Sequence, residues 1–380
     1  MTRRTRTFLL ALAASVPAVA LADDPIPTRG FGSASHHWRR LKLERFIEPT
    51  LDQPAYRPEQ FREIAANILL FQREDGGWPT NYDMTAILTP DQREAVAATR
   101  SRRDSSFDNG NVHSQVAYLA RAYAREPEPA WRSACERGLD HMLAAQLPNG
   151  GFPQSPGAKG YHAHITFNDG VMIGILDVLA DAALGEPHFA WLDDARRARC
   201  REAMGRGVAC ILKCQIVVDG VATGWCQQHD ENTYEPRPAR TFEPASNCPQ
   251  ETAEIVAFLT RVEPTEAIVA AVESAAAWLR RTELTGIRVE RVKAPAESFA
   301  RHDADFDVVV VPDPSAPPIW ARHYEIGTDR PIFLGRDAVK RYALAEIERE
   351  RRTGTAWYGA WPTPVLEDVV PRWRAERLGR

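Results

Sequence analysis

The chain has 380 residues, of which 26% are charged, and a formal net charge of −4. A negative chain of this length is not expected to bind nucleic acid or an acidic membrane through bulk charge, and it can hold one large domain or two. Its six cysteines include no CxxC pair. A zinc or redox motif is therefore not indicated, and their pairing is left open.

The first 22 residues are predicted to be a signal peptide. Arg3, Arg4 and Arg6 give a basic start, an apolar stretch follows, and the small residues before Asp23 fit a cleavage site after Ala22. The apolar stretch is too short to span a bilayer. We therefore expect a secreted or periplasmic protein, and loss of the three arginines would take the net charge to −7.

A repeated sequence pattern dominates the rest of the chain. A glutamine followed closely by Asp-Gly-Gly-Trp-Pro at 75–79 recurs as glutamine with Asn-Gly-Gly-Phe-Pro at 149–153, and more weakly around 215–225. Each copy ends one predicted helix, because Asp-Gly and Asn-Gly pairs are helix stops and turns. Helical spacing of apolar residues predicts first helices at 59–72, 131–146 and 193–215, second helices at 111–125, 169–184 and 249–262, and a degenerate fourth pair at 264–284 and 336–352.

Helical hairpins repeated in this way predict an all-α fold that closes into an α/α toroid. We expect an incomplete barrel of repeated helical hairpins, with long loops and short strands lining a cleft, and one short strand at 307–312. An open helical array that binds a partner is the alternative. Residues 23–55 are interpreted as a leader segment and residues 56–380 as one toroid domain that carries the catalytic site.

Two loops carry an adjacent aspartate and asparagine next to a phenylalanine, at equivalent places in successive repeats. They are Asp108 with Asn109, and Asn168 with Asp169. Helix capping explains each residue taken alone. Carboxylate and amide oxygens presented together from neighbouring loops are also what Ca²⁺ requires.

The loop at 225–243 is dense in polar groups beside a tryptophan, which is typical of a sugar-binding cleft. Arg322 and Arg336 would add the positive charge that the chain otherwise lacks. A surface ion pair is the plainer interpretation of any single arginine, including a pair between Arg240 and Glu243.

In this order, these segments resemble polysaccharide lyase family 10, the pectate lyases built on an α/α toroid. Matching pieces run from residue 72 to residue 362. The strongest are Asp-Gly-Gly-Trp-Pro at 75–79, Phe-Asp-Asn-Gly at 107–110 and Ile-Thr-Phe-Asn-Asp at 165–169, with further matches at 225–230, 239–240, 320–325 and 350–358. The resemblance implies a lyase that cleaves (1→4)-α-D-galacturonan by calcium-assisted anti-β-elimination and releases unsaturated oligogalacturonides.

The resemblance also implies residue roles. Arg240 would be the base that takes the C5 proton, although a guanidinium normally keeps its own proton. We expect a cationic cluster formed with Arg322, Arg336 and calcium to lower the pKa of Arg240. The implied Ca²⁺ ligands are Asp108, Asn109 and Asp169, and the implied substrate-binding residues are Asn81, Asn168, Arg322 and Arg336.

Some positions depart from the family pattern, and two other functions are open. Thr80, His113 and Ala338 replace the family's usual residues, so we expect substrate preference to differ there. An inverting glycoside hydrolase on the same toroid would need two carboxylates roughly 6.5–9.5 Å apart, chosen from Asp108, Asp169 and Asp230. A non-catalytic polysaccharide-binding protein is the other alternative. The expected partner is polygalacturonate or a related acidic polysaccharide, with no nucleic acid, no membrane and a monomeric state.

Overall fold

The computed structural model describes residues 25–379, so the predicted signal peptide lies outside the described residues. The α-helices are α1 Gly32–Arg40, α2 Phe61–Phe71, α3 Pro90–Ala97, α4 His113–Arg125, α5 Pro129–Ala145, α6 Val171–Leu184, α7 Asp194–Cys214, α8 Pro249–Leu259, α9 Glu266–Arg281, α10 Arg349–Gly354 and α11 Val370–Trp373. Helix α11 continues in both directions as π-helix, over Val365–Val369 and Arg374–Leu378.

The helices stand in two rows, as the repeat predicts. Helices α2, α5, α7 and α9 are the first helices of successive hairpins and pack side by side, and the second helices α4, α6 and α8 form a row against them. Helix α6 is apolar on almost every side and is buried on almost every side, which places the second row inside. The predicted α/α toroid is confirmed.

The repeated glutamine has a structural reason. The Gln72 side-chain amide donates to the carbonyl oxygens of Gly76, in the following turn, and of Ala134, in the next first helix, both at 2.9 Å. Gln146 and Gln215 repeat the arrangement toward α7 and α9. Each glutamine therefore satisfies the loop after its own helix and ties that helix to its neighbour in the row.

The first glycine of each Gly-Gly pair permits a close approach between hairpins. Gly76 and Gly150 have φ values of +86° and +92°. A Cβ at either position would lie 2.4 Å or 2.2 Å from a backbone oxygen of α5 or α7. Only glycine fits this combination of positive φ and close contact.

The fourth helical pair is predicted only in part. Its first helix is α9, but the helix predicted at 336–352 is wrong, because that span holds the two-residue strand Lys340–Arg341, a 3-10 turn and only the start of the six-residue α10. The place beside α8 and α9 is taken by the C-terminal helix, which buries Val365, Leu366, Val370 and Trp373. The span 336–352 is mostly charged and has no comparable apolar face.

The strand predicted at 307–312 is the end of a long hairpin. Strand β6, Ile287–Ser298, pairs antiparallel with β7, Asp303–Pro312. The remaining strands are two-residue pieces in the loops: β1 Ile165–Thr166, β2 Val217–Val218, β3 Val221–Ala222, β4 Gln228–His229, β5 Pro236–Arg237, β8 Trp320–Ala321, β9 Phe333–Leu334, β10 Lys340–Arg341 and β11 Tyr358–Gly359. The sheet β1–β4–β5 holds the 165–169 loop against the 225–243 loop.

The segment interpreted as a leader packs on the toroid. Ile26, Phe31, Trp38 and Ile47 are buried in the same apolar cluster as the helices of the ring. The Trp38 indole donates to the carbonyl oxygen of Ile47 at 3.2 Å, which folds the segment back on itself. Residues 25–55 therefore share the core of the toroid domain.

All six cysteines are buried free thiols, so the structure contains no disulfide between them.

Within residues 25–379, none of the helices combines the length and the apolar character that crossing a bilayer requires.

Candidate active site

A single cleft of about 530 Å³ collects every site residue predicted from the sequence. These are Asn81, Asp108, Asn109, Asn168, Asp169, Arg240, Arg322 and Arg336. They come from loops on one rim of the toroid, as expected for helical hairpins whose long loops lie together.

Two related turns form the floor of this cleft. Residues Asp108–Gly110 and Asn168–Gly170 each make one 3-10 turn immediately before a second helix. Their middle residues, Asn109 and Asp169, adopt left-handed φ values of 55° and 54°, a conformation that asparagine and aspartate tolerate better than most residues. The structure thus makes Asn109 equivalent to Asp169, and Asp108 equivalent to Asn168.

The oxygen atoms of the two turns and of Asn81 converge. The Asn109 side-chain amide donates to Asn81 Oδ1 at 2.9 Å and to Asp108 Oδ2 at 3.1 Å. Its Oδ1 atom accepts from the Ser33 hydroxyl at 2.8 Å. The Asn168 amide donates to Asp169 Oδ2 at 2.5 Å. Carboxylate and amide oxygens from three loops are thereby held together.

Asp108 is the most perturbed group of the cleft. Burial raises its pKa to about 7, and the neighbouring Asp169 carboxylate adds to the rise. Its Oδ1 atom is buried without a hydrogen-bond partner among the described residues. An unpartnered buried oxygen beside a second carboxylate is the arrangement that a hard cation relieves, so these oxygen donors fit Ca²⁺.

Arg240 faces this carboxylate pair but is bound to Glu243. Its guanidinium donates through Nε to Glu243 Oε2 at 2.7 Å and through Nη2 to Oε1. Burial lowers the pKa of Arg240, but the Glu243 hydrogen bonds and the charges of Glu243 and Asp169 outweigh it and hold the pKa above its ordinary value. Without a bound cation the pKa shift is therefore upward, opposite to the shift expected for a cluster that includes calcium, because the nearest charge is an acid.

A cationic cluster does surround the Phe242 ring, but Arg351 is its third member in place of the predicted Arg322. The guanidinium carbons of Arg240, Arg336 and Arg351 lie 4.8, 5.1 and 4.3 Å from the ring centroid. Arg336 and Arg351 both pair with Glu350. Stacking on a ring face orients a guanidinium while leaving its edge available to an anion.

Arg322 does not belong to this cluster and lies beside the turn Asn168–Gly170. It donates to Asn168 Oδ1 at 3.1 Å, and among residues 25–379 it has no carboxylate within ion-pair distance. Gln227 donates to the same oxygen at 2.8 Å and to the buried Glu251. Arg322 is therefore placed to offer its remaining donors to a ligand.

Several residues of the cleft were not found from the sequence. Gln154, Tyr161 and His162 line it from the loop before β1, and Arg351 lines it from α10. Only Arg351 lay within a recognised segment, and the loop at 154–162 carries no motif.

The positions that depart from the family pattern lie in different places. Thr80 donates to the carbonyl oxygen of Asp108, whereas His113 lines a second cavity.

The carboxylate geometry disfavours a glycoside hydrolase. The Asp108 and Asp169 side chains lie within hydrogen-bond reach of each other, which is closer than the roughly 6.5–9.5 Å of an inverting pair. Asp230 does not line the cleft. It forms a separate group with His164 and Glu231, whose ligand atoms lie within 4.8 Å of one another.

Comparison with known proteins decides the family. The model of the pectic acid lyase family matches residues 72–366, most of the chain. The chain belongs to the pectic acid lyase family. It is thus a polysaccharide lyase that acts on pectic acid, and the lyase prediction is confirmed over the hydrolase alternative.

Two solved structures of a family 10 polysaccharide lyase from Cellvibrio cellulosa support this assignment. One is 29% identical, with a TM-score of 0.68, and the match covers 85% of this chain and 97% of the other. The second is a single-residue mutant in complex with trigalacturonic acid. It is 28% identical, with a TM-score of 0.68, and the match covers 83% of this chain and 96% of the other. No curated protein matches the sequence.

Proposed function

We propose that this pectic acid lyase cleaves polygalacturonate by calcium-assisted anti-β-elimination, with Arg240 as the base. The observation that carries the proposal is the paired Asp108 and Asp169 carboxylates in the same cleft as Arg240. Trigalacturonic acid in the related Cellvibrio lyase supports an acidic polysaccharide as substrate.

Asp108, Asn109 and Asp169 would hold the Ca²⁺ ion, since they supply the oxygen donors that the ion prefers. When bound, Ca²⁺ would neutralise the uronate carboxylate and stabilise the negative charge that develops beside it. Asn81 and Asn168 orient these ligands through their side-chain hydrogen bonds.

Arg240 would remove the proton from C5, after which the C4–O bond breaks and its electron pair leaves on the glycosidic oxygen. Because Glu243 holds Arg240 charged, the pair has to open and the guanidinium has to release one proton to solvent before Arg240 can accept the proton from C5. A substrate carboxylate that binds Arg322 and Arg336 would change the charges and hydrogen bonds around the Arg240–Glu243 pair. These two arginines would bind substrate carboxylates or hydroxyls through charge-assisted hydrogen bonds.

The lyase assay uses polygalacturonate with and without Ca²⁺ and follows the ultraviolet absorbance of unsaturated product. We expect activity that a chelator abolishes and that added Ca²⁺ restores. Reducing ends without that absorbance would indicate hydrolysis, and the absence of any product from polygalacturonate would refute the proposed function.

We also propose that the protein is exported as a monomer with residues 1–22 removed. The basic start, the apolar stretch and the small residues before Asp23 support export and cleavage after Ala22. Mass spectrometry of the exported protein should find Asp23 as the first residue, and sedimentation should give the mass of one chain. An N-terminus other than Asp23 would contradict the cleavage site.

A further inference from the structure

One wall of the cleft comes from segments that the recognised motifs do not include. Helix α1 and the loop after it contribute His36, His37, Leu41 and Leu43. These residues precede the part of the chain that matches the family model, which begins at residue 72. The turn of the β6–β7 hairpin contributes Arg301 and His302 to the same wall.

The two segments are joined by contacts that we call the clasp, made by Lys42 with the turn 298–303. The Lys42 amide donates to the carbonyl oxygen of Arg301 at 2.9 Å. Its ammonium donates to Asp303 Oδ1 at 2.6 Å and to Ser298 Oγ at 2.7 Å. The Arg301 guanidinium returns a bond to the carbonyl oxygen of Lys42 at 3.4 Å. Both segments are thereby fixed relative to each other.

The clasp is continuous with the arginine cluster around Phe242. A Cβ added at Gly354 would lie 2.7 Å from both His302 Cε1 and Arg351 Nη2, so the turn and the cluster converge on this glycine. On its other side, α1 touches the turn Asp108–Gly110, because Ser33 donates to Asn109 Oδ1. The clasp wall therefore borders both halves of the catalytic cleft.

The charge of Arg301 distinguishes it from most cations of the cleft. Arg240, Arg336 and Arg351 each have a glutamate partner. Arg301 is exposed, and no carboxylate among residues 25–379 forms an ion pair with it. A polyuronate carries one carboxylate on every sugar, so a fixed, unpaired guanidinium on the wall of the cleft matches an additional sugar of the chain.

We propose that the clasp forms an additional uronate-binding subsite in which Arg301 pairs with the carboxylate of a sugar beyond those at the bond that is broken. The proposal rests on the proposed function, because it takes the ligand to be a polyuronate. Arg301 therefore strengthens the binding of long substrates only, because a long chain reaches the clasp and a short one does not.

The test measures equilibrium binding of oligogalacturonates from trimer to octamer on an Arg240→Ala background, in which turnover should be slow. Affinity should rise with chain length, and Arg301→Gln should weaken the longer oligomers by about threefold to fivefold, the range of one exposed ion pair, while the trimer changes by less than about twofold. Lys42→Ala, which opens the clasp, should do the same. Lys293→Gln removes one exposed positive charge from the same hairpin outside the cleft and should bind like its parent.

Equal weakening at all lengths, no change in Arg301→Gln, or no binding of any oligomer would overturn the subsite. The proposed function is judged separately, by the absorbance of products that the wild type releases from polygalacturonate. A wild type that binds with the expected length dependence but releases no unsaturated product would refute the lyase mechanism and keep the subsite.

Discussion

Arg240 and Glu243 show how one ion pair can serve both folding and chemistry. The Glu243 side chain is 3% exposed, and Arg240 is 51% exposed above it. The glutamate is thus the buried member, and its charge depends on the arginine. A substitution at Arg240 removes the proposed base and also leaves a buried carboxylate without its main partner.

These two effects can be separated with a double variant. Arg240→Ala should lower kcat by about 10²–10⁴, the range for loss of a general base. It should also lower the free energy of unfolding by about 1–3 kcal/mol because Glu243 loses its partner. Arg240→Ala combined with Glu243→Gln should regain stability in urea titrations and stay inactive. Recovery of activity in the double variant would remove Arg240 from the role of base.

Asp108 gives the metal-free protein a pH-dependent stability. Its pKa is about 7 in the folded protein and about 3.9 in an unfolded chain. Between these values the folded state holds a proton that the unfolded state releases, so the free energy of unfolding should fall as pH rises from about 4 to about 7. Thermal unfolding midpoints of chelator-treated protein across this range measure the effect.

Asp108→Asn is the control for that pH dependence. The variant should show a shallower fall, with a remainder from Glu254, whose pKa burial raises to about 8. Added Ca²⁺ at pH 8 should raise the unfolding midpoint of the wild type and raise that of Asp108→Asn less. Identical pH profiles for the two proteins would show that Asp108 is not protonated in the folded state.

Site residues could be predicted from the sequence where they lie together in one short segment. Asp108, Asn109, Asn168 and Asp169 lie in short segments whose composition and place in the repeat mark them. Ser33 and Arg301 could not be found in this way, because they reach the cleft through contacts with residues far away in the sequence. The upward shift of the Arg240 pKa in the metal-free protein was not foreseen, because Glu243, three residues away, was considered only as a surface pair.

At the scale of helices, the hairpins pack through glycine as well as through apolar side chains. Gly138 on α5 faces Val116 of α4, and Gly207 on α7 faces Leu176 of α6, with a Cβ at either glycine 2.4 Å from the facing side chain. Gly205, also on α7, has no atom within 4 Å of its Cβ position. One helix thus offers a packed glycine and an open one.

Substitution by alanine should have opposite effects at these two positions. Gly205→Ala should raise the free energy of unfolding by about 0.5–1 kcal/mol, since alanine is the better helix former. Gly207→Ala gains the same helix propensity, but its methyl group has to displace Leu176 at a cost of about 1–3 kcal/mol. The free energy of unfolding of this variant should therefore fall. Urea midpoints compare the two. Equal stabilisation at both positions would mean that α6 and α7 are not in close contact there.

Helices of the repeat were predictable to within a few residues, because an apolar face at helical spacing marks each one and a glutamine-glycine ending marks the first helices of the hairpins. The β6–β7 hairpin was predicted only at its end, in the valine run of β7. The first strand alternates charged and apolar residues over a half-exposed surface, and its partner is fixed by the turn and not by a motif. Pairing of this kind depends on register, which a single sequence specifies weakly.

At the scale of the molecule, the C-terminal helix completes the inner row of the toroid. Arg374 pairs with Glu273 of α9, and Arg280 of α9 donates to the carbonyl oxygen of Leu366 at 2.8 Å. The family model ends at residue 366, so most of this helix lies beyond the matched region. Closure of the row nevertheless depends on it, since its buried face covers α8 and α9.

Trp373 tests that closure. Trp373→Ala should lower the free energy of unfolding by about 3–5 kcal/mol, the usual cost of removing a buried tryptophan. Lyase activity well below the unfolding temperature should be retained, because Trp373 does not line the cleft. Arg372→Ala is the matched control: its pair with Asp368 is exposed and should contribute no more than about 0.5 kcal/mol. If both variants unfold at the same urea concentration as the wild type, the toroid does not need its C-terminal helix, and the row of inner helices ends at α8.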